Sequence, residues 1–162
     1  MAIDVKGLLA YTLLALCKRK ALEKITVTEL LNETGVGRRT FYVHLRDKND
    51  LIAWVYKEFI VNRAKSSPTE KGVILTRAYF EVLFENKTFM EQACRMTGQN
   101  CLSEYMYAYA KESLAEAGFS SFKADFYSVA IVHVTLQWIL GGMKTSPDDF
   151  AKELRRAVDY RI

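Results

Sequence analysis

Between Val36 and Asn49 the chain carries Arg38, Arg39, Arg46 and Lys48 against Asp47 alone, interleaved with Thr40, Tyr42 and His44. A guanidinium is a planar fork that fits a guanine edge or a phosphate, so Arg38 and Arg39 can reach either. Thr40, Tyr42 and His44 offer short polar tips suited to phosphate oxygens. Lys48 falls in the first turn of a following helix, where backbone amides also attract phosphate. This is the chemistry of holding a polyanion, not of making or breaking bonds. The plain alternative is a solvated Arg pair on two packed helices. Against it, Tyr42 and His44 stand on what would otherwise be a free face, and the positive charge concentrates here.

Other chemistries find little support. The sequence has no Gly-rich phosphate loop, no paired-carboxylate signal and no Ser or Cys nucleophile with a recognisable base motif, so no enzyme is expected. Its two histidines, His44 and His133, and three cysteines, Cys17, Cys94 and Cys101, lack the paired ligands, about two to four residues apart, of a structural zinc site. No metal and no cofactor are expected. An odd number of scattered cysteines reads as reduced, packed thiols in a cytoplasm.

The polar row needs a helix to carry it, and local signals supply one. Thr26-Val27-Thr28-Glu29 is a capping box that opens a short helix with Leu30 and Leu31 inward, stopping at Gly35. A second short helix runs from Gly37 to about Leu45, with Phe41 and Leu45 pointing back into a core. Two short helices separated by Gly35-Val36 read as a helix-turn-helix, whose second helix enters the major groove of DNA. Before it, Val5, Leu8, Leu9, Leu13 and Leu16 fall on one helical face, with Lys6, Ala10 and Lys18 elsewhere. After it, Asp47 caps a long helix with Leu51, Val55, Phe59 and Asn62 at helical spacing, ended by Ser66-Ser67-Pro68-Thr69.

Helical signals continue to the C-terminus. A helix is expected from Val73 to Glu85 with Leu75, Ala78 and Val82 in the core, and a capping box at Thr88-Phe89-Met90-Glu91 opens one ending near Gly98. Cys101 to Ala117 is closed by Gly118; Ser120 and Ser121 cap Phe122 to Leu140, which Gly141-Gly142 ends. Ser146-Pro147-Asp148-Asp149 combines a cap, Pro at the first helical position and acids in the first turn of a helix reaching about Asp159. No period-2 strand survives, so the fold class is all-α: an N-terminal three-helix helix-turn-helix domain plus a C-terminal helical bundle.

Length and composition agree. A chain of 162 residues, half apolar, 26% charged and with only 2 Pro, is neither disordered nor a stapled mini-protein. Residues 1–64 hold 11 Lys+Arg and 7 Asp+Glu; residues 65–162 hold 12 of each, so the whole excess of +4 lies in the first part. A basic module joined to a neutral one suits a polyanion partner for the first. Gly7 to Leu16 resembles a signal core, but Leu16 before Cys17 is not small and the basic run Lys18-Arg19-Lys20 lies on the wrong side. Val129 to Met143 is too short to span a bilayer. No membrane partner is expected.

Ile25-Thr26-Val27, Gly35-Val36, Arg39-Thr40-Phe41-Tyr42, His44-Leu45 and Lys48-Asn49-Asp50-Leu51 together resemble the N-terminal signature of the TetR family of transcriptional regulators. The resemblance covers about the first 60 residues. It implies a DNA-binding domain over 1–48 with Val5 to Lys20 as its first helix, a connecting helix at 47–65, and a C-terminal dimerisation and effector-binding domain over 66–162. It implies that Thr26, Thr28, Thr40, Tyr42, His44 and Lys48 meet phosphates, and that Gly37, Arg38 and Arg39 read bases. The sequence departs from the pattern at Gly37, where Ser is frequent, at Leu45, where Phe is usual, and in having no basic arm before Asp4.

In the same family the last two helices pair with their symmetry mates, which implies a homodimer and a palindromic operator on double-stranded DNA, with recognition helices about 34–36 Å apart. Tyr105, Tyr109, Tyr127 and Trp138 are candidates to line an effector pocket, with plain core as the alternative for each. The expected function is a homodimeric cytoplasmic repressor released by a small-molecule effector. Control by a partner protein, and activation, stay open.

Overall fold

In the computed structural model residues 4–66 and 74–158 are described, and no strand occurs among them. Of the expected boundary Ser66-Ser67-Pro68-Thr69, Ser66 follows the last helical residue Lys65, and the other three residues, like the helix start at Val73 and the end at Asp159, lie outside the described residues. Helix α1 spans Val5–Cys17 and a 3-10 turn, Leu22–Lys24, follows it. Helices α2 (Val27–Thr34), α3 (Arg38–His44) and α4 (Lys48–Val55) come next. Beyond α4 the chain stays helical through a π-helical stretch, Tyr56–Val61, and a last turn, Asn62–Lys65. Then come α5 (Arg77–Glu85), α6 (Lys87–Arg95), α7 (Leu102–Glu116), α8 (Ser121–Leu140) and α9 (Pro147–Val158).

Local chemistry starts and stops these helices. The carboxylate of Asp4 accepts the Gly7 amide at 3.0 Å, and Asp47 accepts that of Asp50 at 2.8 Å. Ser120 caps α8, and Ser146 accepts the Asp149 amide at the start of α9. Each satisfies an amide that the helix leaves without a partner.

Tertiary packing overrides several local expectations. In α1, Ala10 is fully buried and Leu8 is 39% exposed, reversing their expected sides, because α2, α4 and α6 pack on the face holding Leu9, Ala10, Leu13 and Leu16. That helix also stops at Cys17 rather than Lys20. Thr88 is not a cap: the Asn86 amide closes α5 onto Val82 while its carbonyl already accepts the Met90 amide, so α6 begins at once and encloses Thr88. The helix ends at Arg95, short of Gly98. Of the α5 core candidates Val82 is buried, Ala78 is half-buried and Leu75 precedes the helix, while Tyr79, Phe80 and Leu83 form the interior.

One continuous core runs from Leu9 in α1 through Ile52, Val55 and Ile60 to Phe80, Ile139 and Leu154. Among the C-terminal helices α7 packs along α8, and α9 lies on α5. Trp138 stacks on Phe150 at 4.7 Å, tying α8 to α9, and its indole N–H donates to the Thr145 carbonyl at 2.9 Å. No helix among the described residues is long and apolar enough to cross a membrane.

Candidate nucleic-acid interface

The polar row rests on a rigid corner. Gly35 ends α2 in the left-handed region at φ 70°, and its amide donates to the Leu31 carbonyl at 2.9 Å. Glycine adopts that geometry without the Cβ clash other residues meet, so the chain reverses sharply into α3. Phe41 then anchors α3: it is fully buried, and truncating such a ring to Ala costs about 3–5 kcal/mol. With Phe41 inward, Arg38, Arg39, Thr40, Tyr42, Val43 and His44 are all exposed. The Tyr42 ring stands edge-on to Phe41 at 5.1 Å and is itself 52% exposed. Gly37 caps α3 by backbone alone, with no side-chain bond.

Thr26 and Thr28 lie at the start of α2. The Thr26 hydroxyl accepts the Glu29 amide at 3.1 Å, as a capping box requires. The Glu29 carboxylate meets Lys20 at 2.8 Å; that hydrogen bond, aided by the Thr26 backbone amide, holds it below the usual carboxylate range. Arg38 reaches across from α3 and donates through Nη2 to the Thr28 hydroxyl at 2.9 Å. Thr28 and Arg38 therefore meet where α2 and α3 begin, with Thr26 just before Thr28 in the chain, while Arg39, Thr40, Tyr42 and His44 follow along α3.

Lys48 departs from the sequence expectation. Its ammonium donates to the carbonyls of Leu22, Glu23 and Ile25 at 3.0, 3.0 and 2.8 Å. These three bonds use the three donors of an ammonium, so the side chain is turned back onto the segment before α2 instead of outward. Burial also lowers its pKa from the ordinary lysine value. The same segment is gripped from α6: Gln92 accepts the Leu22 amide through Oε1 and donates to the Cys17 carbonyl at 3.0 Å.

The four effector candidates do not gather. Tyr105 and Tyr109 stand edge-on to Tyr56, at 5.9 and 6.4 Å. Tyr127 packs against Phe119 and Phe126, and Trp138 against Phe80 and Phe150. The rings of the four residues thus fall into three separate sets of aromatic contacts. Tyr105 lines a cleft of about 170 Å³, with Arg46, Asn49, Asp50 and Glu104. The Tyr109 hydroxyl is buried without a hydrogen-bond partner among the described residues.

Two features escape a reading by motif. Val43 is 73% exposed on α3, and α8 exposes Phe122 (78%), Phe126 (61%), Val129 (59%) and Val134 (42%). Wheel positions carry both signals: Val43 lies nearly opposite Phe41, and Phe122, Phe126 and Val129 recur every three or four positions along one side of α8, with Val134 farther round the helix.

The family model described as a transcriptional regulator C-terminal region, of TetR type, matches residues 75–160, which is 86 of the 162. The chain belongs to the TetR family of transcriptional regulators. Being a TetR-type regulator, it is a transcription factor and not an enzyme. Among solved structures, one described as the dihydroxyacetone kinase operon activator DhaS superposes with a TM-score of 0.66 at 15% identity, covering 97% of this chain and 95% of that one. That likeness speaks for the TetR-type all-helical fold. Comparison with curated proteins gives no match.

Proposed function

We propose that this TetR-family regulator binds a palindromic operator as a homodimer, with α3 in the major groove. The observation that carries the reading is the exposed row Arg38, Arg39, Thr40, Tyr42 and His44 on a helix anchored by Phe41 and reached through the Gly35 turn. Residues 1–48 form the DNA-binding part, 47–65 the connection and 66–162 the dimerisation and control part. Tyr42, His44, Thr40 and Thr26 take phosphates in this arrangement, and Arg39 takes a base edge. Gly37 lets the α3 backbone approach the groove without a side chain in between.

The partner subunit is supported by α8. Its outward side carries Phe122, Phe126 and Val129, with Val134 exposed farther round, and a helix apolar on its outer as well as its inner side is one that buries both. The outer side of α9 carries Lys152, Glu153 and Arg156 and suits the rim. Three buried free thiols accord with work in a reducing cytoplasm.

Control follows the expected form: a repressor released when a small molecule alters the 47–65 connection. The site that supports it is reduced to Tyr105 and Tyr109, which touch Tyr56 at the π-helical stretch; π turns recur at functional sites. The separation of Tyr127 and Trp138 from that pair favours the second reading, a protein partner in place of a small ligand. Activation is the reading suggested by the printed name of DhaS.

Selection of bound duplexes from a random pool, at two salt concentrations and with Tyr42→Ala as control, tests the core claim. Enrichment of a palindrome that the control loses is the expected result. Retention without any enriched sequence, or no retention at low salt, overturns sequence-specific regulation by this route. A reporter with that palindrome at its promoter then gives the sign of control.

A further inference from the structure

Successive residues of an α-helix are turned by about 100°. Measured from the buried Phe41, Arg38 and His44 then lie about 60° away, Thr40 and Tyr42 about 100°, and Arg39 and Val43 about 160°. The contacts agree with this geometry. Arg38 is near enough to the inner side to bond Thr28 at 2.9 Å, whereas Val43 is 73% exposed, the most exposed of the large apolar residues described in the N-terminal half. Arg39 and Val43 are thus one turn apart at the apex of α3, farthest from the body of the protein. When such a helix enters a groove, its apex meets the floor and its flanks meet the walls.

The floor of the major groove presents base edges, and among them one apolar group, the C5-methyl of thymine. Valine offers two methyls and no polar atom, so it matches that group and gains nothing from a phosphate wall. We propose that Val43 reads a thymine in each half-site through this methyl contact, and that Arg39 and Val43 together set the operator sequence. Arg38 serves as a strut between α3 and α2. Residues one turn apart are separated by about 6 Å along the helix axis, so the thymine lies within about two base pairs of the base held by Arg39. The assignment rests on the DNA-binding reading of α3 given above.

The test removes one methyl group and nothing else. In the operator recovered by selection, each thymine is replaced in turn by deoxyuridine, symmetrically in both half-sites, and affinity is measured for the wild type and for Val43→Ala. Val43 is exposed, so the variant keeps its fold, which its thermal midpoint checks. The wild type is expected to lose about fourfold per half-site at one thymine position, the worth of one buried methyl, and Val43→Ala to lose nothing there. Equal losses in the two proteins, or no loss in either, overturn the assignment of Val43 and leave the DNA-binding reading intact. Failure of the wild type to select any sequence overturns that underlying reading and this assignment with it.

Discussion

The Lys48 ammonium donates to the Ile25 carbonyl at 2.8 Å, clamping the first turn of α4 onto the residue that precedes the Thr26 cap. With the further bonds to Leu22 and Glu23, it closes the 3-10 turn against α4. Lys48 therefore fixes the segment that leads into α2, and in the proposed function its effect on DNA binding runs through that placement.

Replacing Lys48 by Met, which keeps the apolar stem, is expected to lower stability by about 1–3 kcal/mol, because hydrogen bonds from a charged donor are lost. Urea denaturation measures this. In the same variant the salt slope of DNA binding should stay unchanged. A phosphate contact made by Lys48 would instead reduce it by about one unit.

The Tyr56 and Tyr79 hydroxyls are 2.5 Å apart in the core, and burial drives both pKa values up, that of Tyr56 well above the ordinary tyrosine range. Tyr56→Phe leaves the Tyr79 hydroxyl buried without this partner, at about 1–3 kcal/mol. Removing both hydroxyls together should cost less than removing one, since no polar group is then stranded. Chemical denaturation of the single and double variants decides; a double variant worse than either single one contradicts the pairing argument.

Phe126 lies on the outward side of α8, in its N-terminal third, and is 61% exposed. Phe126→Lys adds a charge to the side that the proposed dimer buries against its partner subunit. The expected outcome in analytical ultracentrifugation is a shift from dimer to monomer, with the thermal midpoint of the monomeric fold little changed. A wild type that sediments as a monomer across micromolar concentrations removes the dimer.

Burial pushes the Cys94 thiol from 9.0 up to about 12, with the neighbouring Cys101 adding to the rise. The unfolded thiol loses its proton near pH 9 while the folded one keeps it, so the unfolded state binds fewer protons above that pH. The stability tied to this proton is present in full below about pH 9 and declines as pH rises towards 12, by about 1.4 kcal/mol per unit. Cys94→Ala should flatten the decline of unfolding free energy between pH 9 and 11, although the cavity lowers its absolute value. An unchanged slope would contradict the assigned burial.

The site was legible in part. Thr26, Gly35, Phe41 and the row on α3 could be read because each depends on neighbours within one or two turns. Lys48 could be read as a cation but not as a clamp, for its acceptors lie 23 to 26 residues away. Motif spacing also gave Arg38 and Arg39 the same role. Helical rotation separates them, sending one back to Thr28 and the other to the apex.

The amino-acid sequence determined what short-range forces control: the all-helical class, the caps at Asp4, Thr26, Asp47, Ser120 and Ser146, and the turn at Gly35. These need only a side chain and the backbone amides one turn onward, so their chemistry is complete within a few residues. Tertiary structure decided which side of each helix is inside and what each long side chain touches. Leu8 and Ala10 exchanged places because three helices converge on one face of α1. Tyr105, Tyr127 and Trp138 went to separate contacts because Tyr56, Phe119 and Phe150, brought near by packing, each claimed a different ring. Hydrophobic burial is non-directional, so apolar spacing makes a helix amphipathic without naming its neighbours.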